Sequence, residues 1–413
     1  MEPLTLIYLV YSFLGLYYLF LFTLIYIQNK HCIYEIPEIK KQLSLTMVVP
    51  CYNAEKQIGE TIENLLRSDY KGLKKVIVVD DCSTDNSYKI AKKFQKKYPK
   101  KVKVVQTPKN TGCAAGSKNY GAKFVRTKLI GFTDDDSYPK QGAISKMIGY
   151  FGDEKTGGVT SRVLVMNRDT WISKLQAIEY KIIAFTRKLL GFVGGIYVTN
   201  GPLSIYRLKA FKEAGGFDES NWTEDIEITW HIVSLGYNIH MAVPAKVYTV
   251  VPDRFKAWFK QRLRWNVGGI QTINKYKKSF FKCGMLGLFI LPFFVVAWFL
   301  AITGLFLLGY RIIRTVYVRY LSTTMSIANE TAILNMKDIH LTPSILFFFG
   351  VVLFFLGLLY NILALRHSKD EEEKYKKQGF GRLLIYMTFY LTAYPAILII
   401  SIYKFFKGKK TWN

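Results

Sequence analysis

Four long apolar runs divide the chain, one at its beginning and three towards its end. The first covers residues 3–27, and the charge of Glu2 precedes it. The later runs cover residues 285–310, 344–365 and 383–403. About 20 consecutive apolar residues are enough to cross the hydrocarbon core of a bilayer as a helix. The pattern therefore predicts an N-terminal transmembrane anchor over 1–28 and a C-terminal transmembrane region over 283–413.

Between these runs, residues 43–250 have the pattern of a soluble domain in which strands alternate with helices. The strand-like runs are "LSLTMVVPCYN", "KKVIVVDDCSTDNS", "KVKVVQTP" and "KLIGFTDDDS". The stretch "NSYKIAKKFQKKYP" has helical spacing of its apolar residues. This alternation is typical of a parallel α/β sheet. We therefore predict an α/β domain over 43–250, followed by membrane-surface helices over 251–282.

Acidic residues follow two of the predicted strands directly. Asp80 and Asp81 end the second run, and Asp134, Asp135 and Asp136 follow the fourth. Ligands of parallel sheets bind beyond the carboxyl ends of the strands, so we expect these side chains to converge. Carboxylates there either hold a hard cation, Mg²⁺ or Mn²⁺, or hydrogen-bond an imide or a sugar hydroxyl. Taken singly, each motif is also typical of a solvated turn or a helix N-cap.

A third acidic pair, Glu224 and Asp225, lies at a predicted loop-to-helix junction in "NWTEDIEITW". A carboxylate beside a bound diphosphate can take the proton of an attacking hydroxyl. Acids in the first turn of a helix also complement its dipole without any catalytic role. The order of the three acidic motifs, followed by a basic segment before an apolar run, favours the catalytic interpretation.

That basic segment is "FKQRLRWNVGG", residues 259–269, which combines three cations, two aromatic rings and a glycine pair. On a helix, Gln261 and Arg264 are one turn apart and face the same side. Arg264 can bind phosphate oxygens through two parallel hydrogen bonds, and Trp265 can cover the apolar face of a sugar ring. The alternative is a basic amphipathic helix on anionic lipid, and one helix can serve both purposes.

Composition narrows the class of protein. The net charge of the 413 residues is +27, which suits nucleic acid, anionic lipid or phosphorylated ligands. Half of the chain is hydrophobic, its cations are dispersed and no nucleic-acid-binding module is recognisable, which favours the membrane and excludes nucleic acid. The five cysteines form no Cys-x-x-Cys pair, which argues against a zinc site and a disulfide framework.

Charge also predicts the orientation in the membrane. Lys30, Lys40 and Lys41 follow the anchor and place the soluble domain in the cytoplasm. Three further crossings would leave the basic C-terminal tail outside, which the same rule disfavours. We therefore expect either three spans in 283–413 or two spans and one re-entrant segment broken at Pro292 or Pro395.

The motifs together resemble a known family. The stretches that carry the resemblance, in chain order, are "VVPCYNAEKQIGETIENLL", "VVDDCSTD", "FTDDDS", "GGFDESNWTEDIEITW" and "QRLRW". They resemble the membrane-embedded branch of the family 2 glycosyltransferases, which includes cellulose, chitin, hyaluronan and poly-β-1,6-N-acetylglucosamine synthases. The resemblance implies a GT-A fold, which is a Rossmann-like α/β glycosyltransferase domain in the cytosol, with an α-helical transmembrane region.

The resemblance also implies roles for individual residues. They comprise nucleotide contacts from Tyr52, Asn53, Asp80, Asp81 (to the uracil ring) and Asp134; metal ligands Asp136 and Asp134; the general base Asp225 beside Glu224; and acceptor or diphosphate contacts from Gln261, Arg264, Trp265, Asn200 and Gly201. Two positions depart from the family pattern. Cys113 stands where lysine is common, with Lys118 as the candidate replacement cation, and Asn200-Gly201 stands where Ser-Gly is usual.

The expected function is that of an inverting, metal-dependent hexosyltransferase of the plasma membrane. It would transfer a sugar, of the N-acetylglucosamine type, from a UDP-sugar to a growing polysaccharide, using Mg²⁺ or Mn²⁺. One alternative is transfer of a single sugar to a lipid, as in ceramide glucosyltransferases or with a polyprenyl phosphate. Another is a non-catalytic sugar-nucleotide sensor or assembly subunit. The Q-x-x-R-W motif favours the polymer, and the complete acidic set favours an enzyme; the oligomeric state stays open.

Overall fold

The computed structural model describes residues 3–329, 345–368 and 380–408. The charged segment between the last two apolar runs and the end of the basic tail lie outside these ranges. The strands are β1 (Leu45–Cys51), β2 (Leu73–Asp80), β3 (Val102–Gln106), β4 (Leu129–Phe132), β5 (Ser137–Pro139), β6 (Thr156–Val165), β7 (Ser204–Arg207) and β8 (Asn238–Thr249). The helices are α1 (Pro3–Asn29), α2 (Ile58–Leu66), α3 (Ser87–Lys97), α4 (Ala114–Ala122), α5 (Ser145–Ile148), α6 (Trp171–Phe192), α7 (Leu208–Glu213), α8 (Glu224–Ser234), α9 (Phe255–Tyr276), α10 (Leu291–Ala328), α11 (Ile345–His367) and α12 (Phe380–Phe406).

The eight strands form one sheet in the order β3-β2-β1-β4-β7-β6-β8-β5. Strands β3, β2, β1 and β4 are parallel, as the sequence predicts. The other half differs from the predicted parallel sheet, because β7 is antiparallel to both β4 and β6 and β5 is antiparallel to β8. Long connections separate the antiparallel partners along the chain. The strand–helix alternation in the sequence therefore did not reveal that these strands pair in antiparallel fashion.

The central strands are apolar at successive positions because other parts of the domain cover both faces of the sheet. On β1, Met47 and Val49 belong to the core on one face, together with Ile58 and Ile62 of α2. Val48, between them, belongs to the core on the other face. Successive side chains of a strand point to opposite faces, so a strand buried on both sides has no polar alternation.

Four of the described helices, α1, α10, α11 and α12, are long and apolar enough to cross a membrane. Helix α10 has 38 residues, about 57 Å at 1.5 Å per residue, and extends well beyond the predicted run 285–310. Neither proline interrupts its helix: Pro292 lies in the first turn of α10, and α12 continues through Pro395. A segment broken at one of these prolines, one of the two alternatives that the sequence left open, is therefore not observed in the described residues.

Helices α6 and α9 connect the sheet domain to the apolar helices. Phe22 of α1 and Ala364 of α11 pack with Phe185 and Leu189 of α6. At the other end, Ile397 of α12 packs with residues of α6 and α9, among them Trp258. The apolar helices are thus attached directly to the domain that carries the acidic motifs.

Candidate active site

A cavity of about 920 Å³ opens at the carboxyl ends of the parallel strands. Most of the residues selected from the sequence line it: Tyr52, Asp81, Asp134, Asp136, Asn200, Gly201, Glu224, Asp225, Gln261, Arg264 and Trp265. Asp80 and Asn53 do not line it. Asp81 and the aspartates after β4 therefore lie around one cavity at the strand ends. Glu224, Asp225 and the basic helix, to which the strand-end argument did not apply, line the same cavity.

Asp81 shapes the loop that borders one end of the cavity. Its carboxylate accepts hydrogen bonds from Thr107 Oγ1 at 2.7 Å and from Thr111 Oγ1 at 2.7 Å. It also accepts one from the Thr111 backbone N–H, and its own carbonyl accepts from Asn110 Nδ2 at 2.9 Å. The carboxylate is therefore engaged by the protein itself, and it holds residues 107–111 against the end of β2.

Asp80 and Asn53 support the cavity from behind. Asp80 is fully buried and accepts from Gln106 Nε2 at 2.9 Å. Asn53 has a positive φ of 52°, and its side-chain oxygen accepts from the Thr84 N–H at 2.8 Å. This bond ties the loop after β1 to the loop after β2, so the geometry gives Asn53 a part in shaping the loop that carries Tyr52.

Three consecutive carboxyl groups, those of Asp134, Asp135 and Asp136, lie directly after β4. Asp136 Oδ1 accepts from Ser137 Oγ at 3.1 Å and from Thr249 Oγ1, on the neighbouring strand β8, at 3.4 Å. Burial, and then the adjacent carboxylates, raise the pKa of Asp136 to about 6 and that of Asp135 to about 7. Because hard oxygen ligands crowd together here without enough countercharge, the residues fit a divalent cation.

Within the described residues, no three His, Cys, Asp or Glu side chains are arranged to enclose a metal. The protein would then supply the two carboxylates of Asp134 and Asp136, and other ligands would come from outside it. Mg²⁺ is commonly held in this way, by one or two carboxylates together with substrate phosphates and water.

Lys118 joins two of the acidic motifs. Its ammonium lies 3.2 Å from Asp134 Oδ1 and 2.9 Å from Glu224 Oε1, and its side chain is 3 % exposed. Burial alone would lower the pKa of this amine, but Asp134 and Glu224 outweigh burial and raise it, so Lys118 is charged. The chain thus places a cation in the cavity from α4, five positions beyond Cys113, which also borders the cavity.

Glu224 and Asp225 begin α8 and differ in their surroundings. Burial opposes the charge on Glu224, but Lys118 and Arg264 overcome it and lower the pKa of this carboxyl. Burial and the neighbouring Glu224 instead raise the pKa of Asp225 above its usual range. A carboxylate with a raised pKa is the stronger base, and in this property Asp225 differs from Glu224.

Helix α9 passes close to these acids. Gln261, Arg264 and Trp265 all face the cavity from one side of the helix. The close approach depends on Gly268, where an added side-chain carbon would lie 2.2 Å from Thr223 Oγ1. Thr223 directly precedes Glu224, so the glycine allows α9 to lie against the start of α8.

Several cavity residues were not selected from the sequence. They are Glu179, Tyr180, Arg187, Tyr197, Trp222, Phe294, Trp298, Tyr386, Tyr390 and Tyr394. Arg187 donates to the side-chain oxygen of Asn200, which also accepts from Thr160 Oγ1 at 2.8 Å. The tyrosines at 386, 390 and 394 recur every fourth residue within an apolar run, and this spacing was a usable signal. The others come from segments distant in sequence, for which no local pattern existed.

The sheet is Rossmann-like, and its carboxyl edge carries the acids, the buried lysine and the helix with the arginine and tryptophan. These features define a GT-A glycosyltransferase domain, to which a set of apolar helices is attached. The comparison with family models agrees. Residues 42–268, more than half of the chain, match the model described as glycosyltransferase like family 2. The chain belongs to this family.

The individual relatives extend over most of the chain. A poly-β-1,6-N-acetyl-D-glucosamine synthase of Staphylococcus epidermidis is 28% identical over 379 residues, which cover 89% of this chain and 86% of the relative. One of Staphylococcus aureus is 27% identical over 281 residues, covering 68% and 66% of the two chains. Among solved structures, a mannosyltransferase of Pyrobaculum calidifontis superposes with a TM-score of 0.62 at 18% identity, over 97% of this chain and 99% of that one. The fold is thus shared over nearly the whole length, apolar helices included.

Proposed function

We propose that the protein is a membrane-embedded, inverting hexosyltransferase that transfers N-acetylglucosamine from its UDP derivative to a growing polysaccharide. The observation that carries this proposal is the meeting of Asp225, the aspartates after β4 and Arg264 in one cavity. The names of the staphylococcal relatives, poly-β-1,6-N-acetyl-D-glucosamine synthases, support the sugar and the polymer.

The reaction follows from the positions of these groups. Asp225 takes the proton from the acceptor hydroxyl, and the hydroxyl oxygen then attacks the anomeric carbon of the donor sugar. The bond from that carbon to the diphosphate oxygen breaks, and UDP leaves with the bonding electron pair. Because attack and departure occur on opposite faces of the carbon, the configuration inverts. Arg264 and Lys118 offset the negative charge that develops on the leaving diphosphate.

A divalent cation, Mg²⁺ or Mn²⁺, fits the carboxylates of Asp134 and Asp136. When bound, it would neutralise charge on the diphosphate. The solved mannosyltransferase was in complex with GDP-Man and Mn²⁺, which supports a divalent cation in this fold without distinguishing the two metals. Tyr52 and Asp81 border the end of the cavity that would take the nucleotide.

The acceptor would lie under α9, with Trp265 over a sugar ring and the Asn200–Gly201 turn beside it. Aromatic side chains of the apolar helices α10 and α12 also line the cavity. They form a suitable environment for a chain of sugar rings. The cations after α1, Lys30, Lys40 and Lys41, support a cytoplasmic catalytic domain at the plasma membrane.

The test uses the full-length protein, purified in detergent, with a panel of radiolabelled UDP-sugars and GDP-mannose and with Mg²⁺ or Mn²⁺. We expect incorporation from UDP-N-acetylglucosamine into long products that stay at the origin of a sizing gel. Transfer of one sugar to a lipid would overturn the polymer assignment. Incorporation from none of the donors would overturn the enzyme assignment and favour a sensor or assembly subunit.

A further inference from the structure

A buried ion pair lies beside the cavity and takes no part in the chemistry described above. Arg262 Nη2 of α9 lies 2.5 Å from Glu179 Oε2 of α6, and their side chains are 0% and 3% exposed. Gln261, Arg264 and Trp265 of the same helix line the cavity, whereas Arg262 is fully buried and is not part of that lining.

The same carboxylate also binds the last apolar helix. Tyr390 of α12 donates its hydroxyl to Glu179 Oε2 at 2.8 Å, and Tyr394 donates to Glu179 Oε1 at 2.5 Å. Trp258 of α9 packs against both tyrosine rings, with centroid distances of 5.8 Å and 6.3 Å. One side chain of α6 therefore fixes both α9 and α12.

Arg262 in turn contacts two residues that cover the cavity. Its guanidinium lies 3.9 Å from the ring centroid of Trp265, and its Nη1 donates to Gln261 Oε1 at 3.1 Å. A cation stacked on an aromatic face restricts the orientation of that ring. The positions of Gln261 and Trp265 therefore depend on where Arg262 is held.

Stability alone gives little reason for this arrangement. Removing two charges from water costs about as much as their attraction returns, and apolar residues of similar volume often replace a buried pair at no loss. Removing one partner, in contrast, leaves an uncompensated buried charge and is strongly destabilising. The pair defines a unique geometry for three elements, which an apolar contact would define less strictly.

We propose that Glu179 and Arg262 are positioning residues for the acceptor, an inference that rests on the proposed transferase function. Through Arg262, Glu179 holds Gln261 and Trp265 over the cavity. Through Tyr390 and Tyr394, it holds α12 against α9. The growing chain then passes along residues of α9 and α12 whose relative position is set by one carboxylate.

The test compares the single variants Glu179→Met and Arg262→Met with the double variant, in full-length protein in detergent. We expect each single variant to lower the melting temperature and the double variant to recover most of it. In the double variant, UDP binding should stay unchanged, while KM for a short β-1,6-linked N-acetylglucosamine oligomer rises about 10- to 100-fold and the products become shorter. A purely structural pair would recover stability and acceptor KM together, and that result overturns the proposal.

A second measurement does not depend on activity. Hydrogen exchange followed by mass spectrometry should show faster exchange in both α9 and α12 of the double variant, with unchanged exchange in the strands. Unchanged exchange in both helices also overturns the proposal. A wild-type protein that transfers no sugar from any donor would instead contradict the proposed function, while the exchange result still decides whether the pair positions α9.

Lys275→Met provides the control on the same helix. Lys275 pairs with Asp218 and Glu227 at 2.7 Å each and contacts neither Gln261 nor Trp265. We expect it to lower the melting temperature without changing acceptor KM or product length. A shift in acceptor KM as large as that of the double variant would show that any weakening of α9 has this effect, which again overturns the proposal.

Discussion

Asp225 and Glu224 carry the same chemical group on consecutive residues, and their surroundings give them different tasks. Glu224 is neutralised by the ammonium of Lys118 at 2.9 Å. Burial and the adjacent Glu224 instead raise the pKa of Asp225, and its Oδ1 accepts from the backbone N–H of Ile226 at 2.9 Å. The neighbouring charges therefore keep Glu224 ionised in its pair with Lys118, whereas they favour proton uptake by Asp225.

Asp225→Asn should abolish most sugar transfer, because an amide cannot take the acceptor proton. We expect a loss of at least about 100-fold in kcat, with UDP affinity unchanged, measured by radiolabel incorporation and by UDP titration. Glu63→Gln, at an exposed acid of α2 outside the cavity, is the matched control and should retain activity. Turnover of Asp225→Asn at the wild-type rate would show that another group is the base.

The pH dependence of transfer should report the same environment. Burial and the charge of Glu224 raise the pKa of Asp225, and the charge of Asp134 raises it further. The cations Lys118 and Arg264 lower the same pKa. The proposed base works only when ionised, so kcat/KM should fall as pH decreases through the raised pKa of Asp225, about 6. Glu224→Gln removes the adjacent charge and should move the midpoint to lower pH. A midpoint that stays in place, or rises, contradicts this account.

Thr249 offers a test of the cation site that leaves its carboxylates intact. Its hydroxyl donates to Asp136 from β8, and loss of such an outer partner commonly weakens metal binding about 10- to 100-fold. Thr249→Val keeps the side-chain shape, and we expect it to raise the Mn²⁺ or Mg²⁺ concentration needed for half-maximal transfer by about tenfold. Chelation by EDTA should stop the wild-type enzyme, and added metal should restore it. Full activity in EDTA would contradict a metal requirement.

Helix α9 depends on a close contact that Gly268, the first of two adjacent glycines, permits. Gly268 lies against Thr223, whereas among the described residues an added carbon at Gly269 would meet the Trp298 ring, at 3.3 Å. Two adjacent glycines of the same helix thus have different packing requirements, and substitution by alanine can separate them.

Gly268→Ala should push α9 away from the start of α8 and lower both stability and sugar transfer. Overpacking of this kind costs about 1–3 kcal/mol, and we expect a lower melting temperature by thermal unfolding in detergent. Gly269→Ala should leave the melting temperature unchanged or slightly higher, because alanine favours the helix. Equal melting temperatures for the two variants would mean that the contact with Thr223 does not constrain α9.

The sequence predicted most of the strands and helices, but it predicted less well where they begin and end. The strand runs before Asp80 and Asp134 and the helix after Asn86 follow the sequence pattern, because burial and helical periodicity are local properties. The pattern did not show that α10 continues to Ala328, since the segment after Tyr310 mixes arginines with apolar residues. It also suggested a break at Pro395, where the structure has a continuous helix.

Within the described ranges, the molecule combines an α/β domain with four apolar helices, and this combination predicts in which cell fraction the protein is found. We expect the protein to remain in the membrane pellet after washing with high salt and with alkaline carbonate, and to need detergent for release. A peripheral protein held by its +27 charge would be released by salt, because such attraction is screened. Release by salt would therefore exclude the spanning helices.

The sequence by itself determined the α/β domain, the apolar helices and the acids at the strand ends. These follow from periodicity, from run length and from the rule that parallel strands present their carboxyl ends at one edge. Even the helix with Gln261, Arg264 and Trp265 was recognisable, because its residues are neighbours on one face.

Only the tertiary structure decided which distant residues meet. Lys118 reaches Glu224 across 106 positions, Glu179 binds Arg262 across 83, and Tyr390 joins them from 211 positions away. No local pattern specifies such contacts, because they depend on how the sheet, α6, α9 and α12 pack together. The same packing places Asp80 and Asn53 outside the cavity lining, where they bond to Gln106 and Thr84, and their nucleotide contacts stay a prediction.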